Sequence, residues 1–324
     1  MTHGILGYLF WKQSSRLKRN NLELNFNSDK LANVENQQIQ DYNEPLKVQL
    51  ENLPAEPQKF TPNNPPWNSG IAFLMWVASI LFILVIPTFG VIFYVVAKGI
   101  NITDSAKLTE AIQNDPNAIL ANIICVIPAH LLTILLAWLV VTSTRKHSFR
   151  EMLGWQWGGF NIFYLVGIVI AFFIFAAILS NFIPEQDNDL LKILRSSRIN
   201  VYFVAFMATF TAPLVEEVVY RGIMYSAFQR TFGVVGGVAL VTFLFALVHV
   251  PQYYPSVATI IMICLLSLVL TLVRAKSENL LPCIILHTIF NGIQSLLMIA
   301  EPYLKQFVPE QKTQAGLIIS QLLQ

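Results

Sequence analysis

Charged residues are scarce in this chain, and their scarcity excludes an ordinary soluble protein. Only 12% of the 324 residues are charged and 55% are hydrophobic, whereas about 25% of a typical soluble protein is charged. The net charge of +2 is too small to indicate a nucleic-acid partner. The three cysteines, Cys125, Cys264 and Cys283, all lie in apolar runs, which argues against a disulfide framework. Long apolar runs instead predict an integral membrane protein.

Seven stretches approach or exceed the length that crosses a hydrocarbon core of about 30 Å. They cover residues 70–97, 118–142, 160–183, 201–229, 234–250, 257–273 and 280–300. We therefore predict an all-α fold, a polytopic helical membrane bundle of about seven transmembrane helices within residues 68–301. Residues 302–324 are expected to form a C-terminal tail.

The N-terminal region differs in composition from the rest of the chain. Residues 20–67 are rich in Asn, Gln and Pro, with apolar residues scattered singly, a composition typical of disorder. The short apolar start, residues 1–10, precedes its basic cluster, which is the reverse of a signal peptide. We predict that residues 1–67 form a mostly disordered cytoplasmic tail.

The basic residues of the loops predict the orientation of the bundle. They follow the second, fourth and sixth spans, at Arg145, Lys146, Arg150, Arg230, Arg274 and Lys276. Three others, Lys192, Arg195 and Arg198, lie on the opposite side and are assigned to an interfacial helix over 189–198. With no organelle signal, the prediction is a multi-pass protein of the cell inner (plasma) membrane with a cytoplasmic N-terminus.

Polar side chains interrupt three of the predicted spans. A charge near the bilayer centre costs about 2.5–3.5 kcal/mol on insertion scales, so such residues usually have a function. At 1.5 Å per residue from a turn near Thr231, Glu216 and His249 lie at similar depths, about 22 and 27 Å, and the seventh span can reach both. The groupings are Glu216, Glu217 and Arg221, then His249, then His287 and Asn291.

The spacing within these groupings divides the side chains between two tasks. Glu217 and Arg221 are four residues apart, so they share a helix face and can form an ion pair. Glu216 is rotated by about 100° and can face a cavity. His287 and Asn291 are also four residues apart and can face that same cavity. Three polar groupings on three helices can therefore form one site.

The chemistry that fits this site is hydrolysis of an amide or ester by an activated water. A desolvated carboxylate suits a general base, and N–H groups of His and Asn can stabilise an oxyanion. Glu216, His249 and His287 could equally hold a divalent metal such as zinc, so the cofactor stays open. His130, alone in an apolar span, is assigned a structural hydrogen bond and left out of the site.

Three motifs in a fixed order resemble those of a known family. Glu-Glu-x-x-x-Arg stands at 216–221, Phe-x-x-x-His at 245–249 and His-x-x-x-Asn at 287–291. On these motifs, residues of about 150–300 resemble the catalytic core of the CAAX prenyl protease and bacteriocin-processing (CPBP, or Abi) family. The resemblance implies an α-helical intramembrane endopeptidase, described for the family both as a metalloprotease and as a glutamate protease.

The resemblance also implies a role for each motif residue. Glu216 and His249 would activate the water, and His287 and Asn291 would stabilise the oxyanion or bind metal. Glu217 and Arg221 would support them. The expected partners are membrane lipid and a peptide or protein substrate.

Two other functions stay open. One is a non-catalytic membrane scaffold or bacteriocin self-immunity protein, which would act by binding a partner without cleaving it. The other is a proton-coupled carrier, since intramembrane Glu and His also mark proton relays. The carrier is disfavoured because no internal repeat is visible.

Overall fold

The computed structural model describes residues 59–101, 103–184 and 186–304, which form helices and no named strand. The first five helices are α1 (Ser69–Ala97), α2 (Ser105–Asn114), α3 (Pro116–Thr142), α4 (Phe149–Leu153) and α5 (Ile162–Phe182). The next three are α6 (Asp189–Ser196), α7 (Arg198–Phe206) and α8 (Ala212–Glu216). The last are α9 (Tyr225–Tyr253), α10 (Val257–Ser277) and α11 (Leu281–Leu304). Two π-helical segments, Met207–Thr211 and Glu217–Met224, flank α8.

Six helical stretches of the described residues are long and apolar enough to cross a membrane. One of them, Arg198–Tyr253, has 56 residues and would be about 84 Å long if straight, far longer than a bilayer is thick. It breaks at Gly233, whose φ of 74° suits glycine. Residues 201–229 and 234–250 are therefore two passes, as predicted. The polytopic all-α membrane bundle is confirmed.

The helix starts follow from local capping. Asn68 accepts a hydrogen bond from the backbone N–H of Ile71 before α1, and Asp115 accepts one from Asn117 before α3. Pro116, at the first turn of α3, needs no such acceptor because it has no N–H. Asn188 caps α6, the helix predicted at the interface over 189–198. Short polar side chains thus fix where the apolar runs become helices.

Two buried apolar clusters hold the helices that carry the motifs. The larger cluster packs α1, α3, the second π segment and α9 together, through residues such as Met75, Ala137, Ile223 and Phe245. The smaller packs α5, α10 and α11 together through Phe172, Leu270, Leu286 and Phe290. The two clusters fix α9 and α11 on either side of Glu216.

The loops predicted to share one side of the membrane do meet in space. The hydroxyl of Ser69, at the start of α1, lies 2.7 Å from that of Thr231, close to the Gly233 turn. The ring of His147, after α3, lies 5.2 Å from that of Phe60. Arg274, in the last turn of α10, donates to Asn63. These contacts put the predicted alternate loops on the same face of the bundle.

The structure moves the boundary of the N-terminal tail, which was predicted at residue 67. Residues 59–67 pack on the helical domain, and Trp67 is only 2% exposed. The oxygens of Asn63 and Pro62 accept hydrogen bonds from the buried guanidinium of Arg274, which needs acceptors there. We call residues 59–67 the strap. Residues 1–58 of the predicted tail and 305–324 of the C-terminal tail lie outside the described residues, and α11 continues beyond the predicted 301 to Leu304.

Candidate active site

The first motif stands where α8 meets the second π segment. Glu216 ends α8 and Glu217 begins the segment. Their side chains enter different surroundings: that of Glu216 is 24% exposed and that of Glu217 is fully buried. π-Helical turns are frequent at functional sites. The two neighbouring carboxylates are therefore separated into an open and a closed environment.

In the closed environment, Glu217 forms an ion pair with Arg221, and all three guanidinium nitrogens of Arg221 donate hydrogen bonds. Arg221 Nη1 donates to Glu217 Oε1 at 2.9 Å, as the four-residue spacing predicted. Nη2 donates to the carbonyl and hydroxyl of Ser267 at 3.0 and 2.9 Å, and Nε donates to the hydroxyl of Thr271 at 3.3 Å. The guanidinium also lies 4.7 Å from the ring centroid of Phe245. A buried charge is tolerated when it is paired and hydrogen-bonded in this way.

The second motif fixes the tautomer of its histidine. Nδ1–H of His249 donates to the carbonyl of Phe245 at 2.7 Å, so Nε2 of the neutral ring carries the lone pair. The two rings lie 4.5 Å apart between centroids. His249 Nε2 is 4.0 Å from Glu216 Oε1. Phe245 therefore contacts both Arg221 of the first motif and the imidazole beside Glu216.

The third motif joins the open and closed sides. Nδ1 of the buried His287 donates to Glu217 Oε1 at 2.8 Å, and its Nε2 lies 3.8 Å from Glu216 Oε2. One turn later, Asn291 Nδ2 donates to the carbonyl of Ala208 in the first π segment at 2.9 Å. Since an amide NH₂ has two donors, Asn291 keeps one more N–H.

These motifs meet at the wall of one cavity of about 690 Å³. Its polar residues include Glu216, His249, His287 and Asn291, and α5 and α6 contribute apolar walls, among them Phe172, Leu179 and Leu194. A large apolar pocket with a few converging polar groups is the usual form of a binding site. The predicted convergence of the three motifs is present in the structure, with Glu217 and Arg221 behind the wall.

The side chains that could bind a metal ion are Glu216, His249 and His287. Glu216 offers one oxygen towards each imidazole, and the oxygen–nitrogen distances are 4.0 Å to His249 and 3.8 Å to His287. Across the described ranges, no group of three His, Cys, Asp or Glu side chains is arranged to hold a metal ion. The mechanism proposed below therefore assigns roles to these side chains alone. The predicted ligand set stays a prediction.

Several residues that contact the site were not predicted to belong to it. His130, left out above, lines the same cavity. Trp76 on α1 donates from Nε1 to the hydroxyl of Tyr220 at 2.9 Å, and the ring of Tyr220 packs edge-on against Phe245. The partners of Arg221 on α10 were also missed. Of these residues, only His130 could have been singled out from the sequence, because it is a polar residue inside an apolar span.

Comparison with known proteins supports the resemblance drawn from the motifs. The comparisons with curated proteins and with solved structures gave no match. Residues 198–293 match the family model described as type II CAAX prenyl endopeptidase Rce1-like. The match spans all three motifs, and at family level it supports a CAAX-protease-like membrane protease. The match agrees with the family that the motifs resemble: residues 198–293 are similar to the Rce1-like family.

Proposed function

We propose that this protein is an intramembrane endopeptidase that hydrolyses a peptide bond of a membrane-associated protein or peptide. The observation that carries the proposal is the position of Glu216 on the cavity wall, with one carboxylate oxygen towards His249 and the other towards His287. The family match at 198–293 supports the same class of substrate, a peptide cleaved in a CAAX-protease-like manner.

The nucleophile in this proposal is a water held between Glu216 and His249. Their 4.0 Å separation is too long for a direct hydrogen bond and short enough for one water to contact both atoms. Glu216 accepts a proton from the water as its oxygen attacks the peptide carbonyl. The lone pair on His249 Nε2 accepts the other water hydrogen and so orients the attack.

The oxyanion formed by this attack needs donors, and the third motif supplies them. The free N–H of Asn291 is one donor. In this proposal the second donor is an N–H at Nε2 of His287, which lies 3.8 Å from Glu216 Oε2. When the C–N bond breaks, Glu216 returns its proton to the leaving amine. The products are a new carboxyl group and a new amine, with one water consumed.

We also propose the location: the cell inner (plasma) membrane, with the strap face of the bundle cytoplasmic. The basic residues Arg230 and Arg274 lie on that face, where the positive-inside rule places them. They bind the strap, which leads into the N-terminal region. In a cysteine-accessibility assay on intact cells, we expect a cysteine substituted at residue 147 to be protected from a membrane-impermeant reagent, because this loop lies inside the cell.

The test compares wild type with Glu216→Gln and His249→Ala, with Glu278→Gln as the matched control. Glu278 is an exposed glutamate at the end of α10, away from the cavity. Purified proteins would be incubated with a fluorogenic S-farnesylated peptide, and membranes of each strain would be searched for peptide fragments by mass spectrometry.

We expect cleavage by wild type and by Glu278→Gln, and its loss in the two site variants. Equal cleavage by well-folded Glu216→Gln would overturn the proposal, and no Glu216-dependent cleavage anywhere would favour the scaffold. Elemental analysis of the same samples tests whether the protein binds a metal. Stoichiometric zinc in wild type that is lost in His249→Ala would establish a metalloprotease.

A further inference from the structure

A third histidine lies at the cavity, outside all three motifs. His130 is on α3, which precedes the family-matched residues 198–293, and it lines the same cavity as Glu216, His249 and His287. Its side chain is largely buried in a membrane-spanning helix. An imidazole buried in this way needs hydrogen-bond partners from the protein or from the contents of the cavity.

The contact between His130 and Thr211 fixes the tautomer of the imidazole. Nδ1 of His130 lies 3.0 Å from the hydroxyl oxygen of Thr211. That hydroxyl donates its single proton to the carbonyl of Met207, at 3.3 Å. With its proton in that bond, the hydroxyl accepts from His130 Nδ1–H, and the lone pair of the neutral ring is then on Nε2. In the part of the chain that the structure describes, no hydrogen bond to this Nε2 is found.

The same arrangement recurs in the two motif histidines. His249 is anchored through Nδ1 to the carbonyl of Phe245, and His287 through Nδ1 to Glu217. In all three, the protein occupies Nδ1; Nε2 of His249 and of His287 lies towards Glu216, and His130 lines the same cavity. The hydroxyl of Thr211 already has an acceptor without His130, so this contact serves to orient the imidazole.

We propose that His130 is a further substrate-binding residue, whose Nε2 accepts a hydrogen bond from a backbone N–H of the bound peptide. This proposal rests on the proposed function. A peptide that enters the apolar part of the cavity must replace the hydrogen bonds that water made to its N–H groups. Glu216 is committed to the water in the proposed mechanism, so the peptide needs further acceptors, which the cavity offers at Asn122, Gln252 and Gln294 as well as at His130. His130 supplies one at a place fixed by Thr211.

The experiment measures kcat and KM separately for cleavage of the S-farnesylated peptide. The variants are His130→Leu, which removes the acceptor, His130→Gln, which keeps an acceptor oxygen, and Thr211→Val, which removes the anchor. The matched control is His147→Gln, a histidine after α3 that does not line the cavity. Melting temperature and gel filtration in detergent would accompany each variant.

We expect His130→Leu to raise KM about tenfold, since a bound donor is left without its acceptor, while kcat changes little. His130→Gln should recover part of this loss, and Thr211→Val should show a smaller rise. A purely structural role would lower the melting temperature and leave KM unchanged. If His130→Leu fails to fold, His130→Gln and Thr211→Val still decide, because a KM equal to wild type in both overturns the proposal.

The outcomes separate this proposal from the one it rests on. Cleavage that depends on Glu216 but shows an unchanged KM in His130→Leu overturns the role of His130 and leaves the peptidase standing. A fall in kcat at constant KM also overturns it, because His130 would then act on the chemical step. No Glu216-dependent cleavage, of the probe or of membrane proteins, overturns both.

Discussion

Glu216 and Glu217 are neighbours in the chain, yet they lie in two different regions of the molecule. The region around Glu217 is closed: Arg221, Ser267 and Thr271 form a buried network. The region around Glu216 is open to the cavity, and its nearest imidazoles lie beyond direct hydrogen-bond distance. Although Glu217 Oε2 has no hydrogen-bond partner among the described residues, its buried carboxylate is held by Arg221 and His287, whereas the carboxylate of Glu216 faces the cavity, where a water or a substrate can reach it. In the proposed mechanism, Glu217 therefore supports the site and Glu216 carries the chemistry.

The strongest test of this comparison is Glu216→Gln on the open side. We expect kcat/KM to fall by about 10²–10⁴-fold, the usual contribution of a general base. Unfolding free energy should change by no more than about 0.5 kcal/mol, as at sites away from the packed core. Peptide-cleavage kinetics and detergent unfolding would measure the two effects. A large loss of stability would instead place Glu216 with the supporting network.

The closed side should respond in the opposite way. Arg221→Leu leaves Glu217 buried without its ion-pair partner, which should cost about 3–5 kcal/mol of stability. The double variant Glu217→Leu/Arg221→Leu should recover part of this loss, because it removes the orphaned charge. Unfolding in mixed micelles would measure both, with Arg150→Leu, an exposed arginine, as the control. An unchanged unfolding free energy in Arg221→Leu would mean that the network does not support the fold.

Asn291 lies between the two regions, since it both lines the cavity and ties α11 to the first π segment. Asn291→Ala should lower kcat by about 10²–10³-fold, as expected for loss of one oxyanion donor. Ser295→Ala is the matched control. Ser295 lies one turn later and bonds the same part of the chain, at Thr209 and Ala205, without lining the cavity. Equal losses of kcat in both variants would mean that Asn291 only holds α11 against the first π segment and does not stabilise the oxyanion.

Helical periodicity was sufficient to predict that the motifs converge. A rise of 1.5 Å per residue from a turn near Thr231 puts Glu216 beside His249, and the turn occurs nearby, at Gly233. The pairing of Glu217 with Arg221 follows from their spacing in the same way. Both follow from regular helix geometry, so they can be predicted from a single sequence.

Features that depend on distant partners could not be predicted in this way. The two π segments leave no mark on the apolar pattern, and the partners of Arg221 on α10 are set by tertiary packing. The role of His130 at the cavity depends on how α3 packs against the first π segment. The strap looked disordered because its Asn and Pro residues bury little apolar surface; its acceptors matter because Arg274 is buried beneath them.

The smallest effect is expected where the strap meets the closed side of the site. Trp67 donates from Nε1 to the carbonyl of Ile223, inside the second π segment, at 3.0 Å. Trp67→Phe removes this bond and keeps most of the ring, so it should cost about 0.5–1.5 kcal/mol of stability. Trp67→Leu should cost more, because it also leaves a cavity. The order of the two melting temperatures would separate the hydrogen bond from the packing.

Cleavage kinetics of the same Trp67 variants complete the test. Because Ile223 lies beyond Arg221 on the closed side, Trp67→Phe should leave KM unchanged and alter kcat less than Asn291→Ala does. A fall in kcat as large as that of Glu216→Gln would contradict the division between the two regions, because a contact on the supporting side would then control the chemistry of the open one.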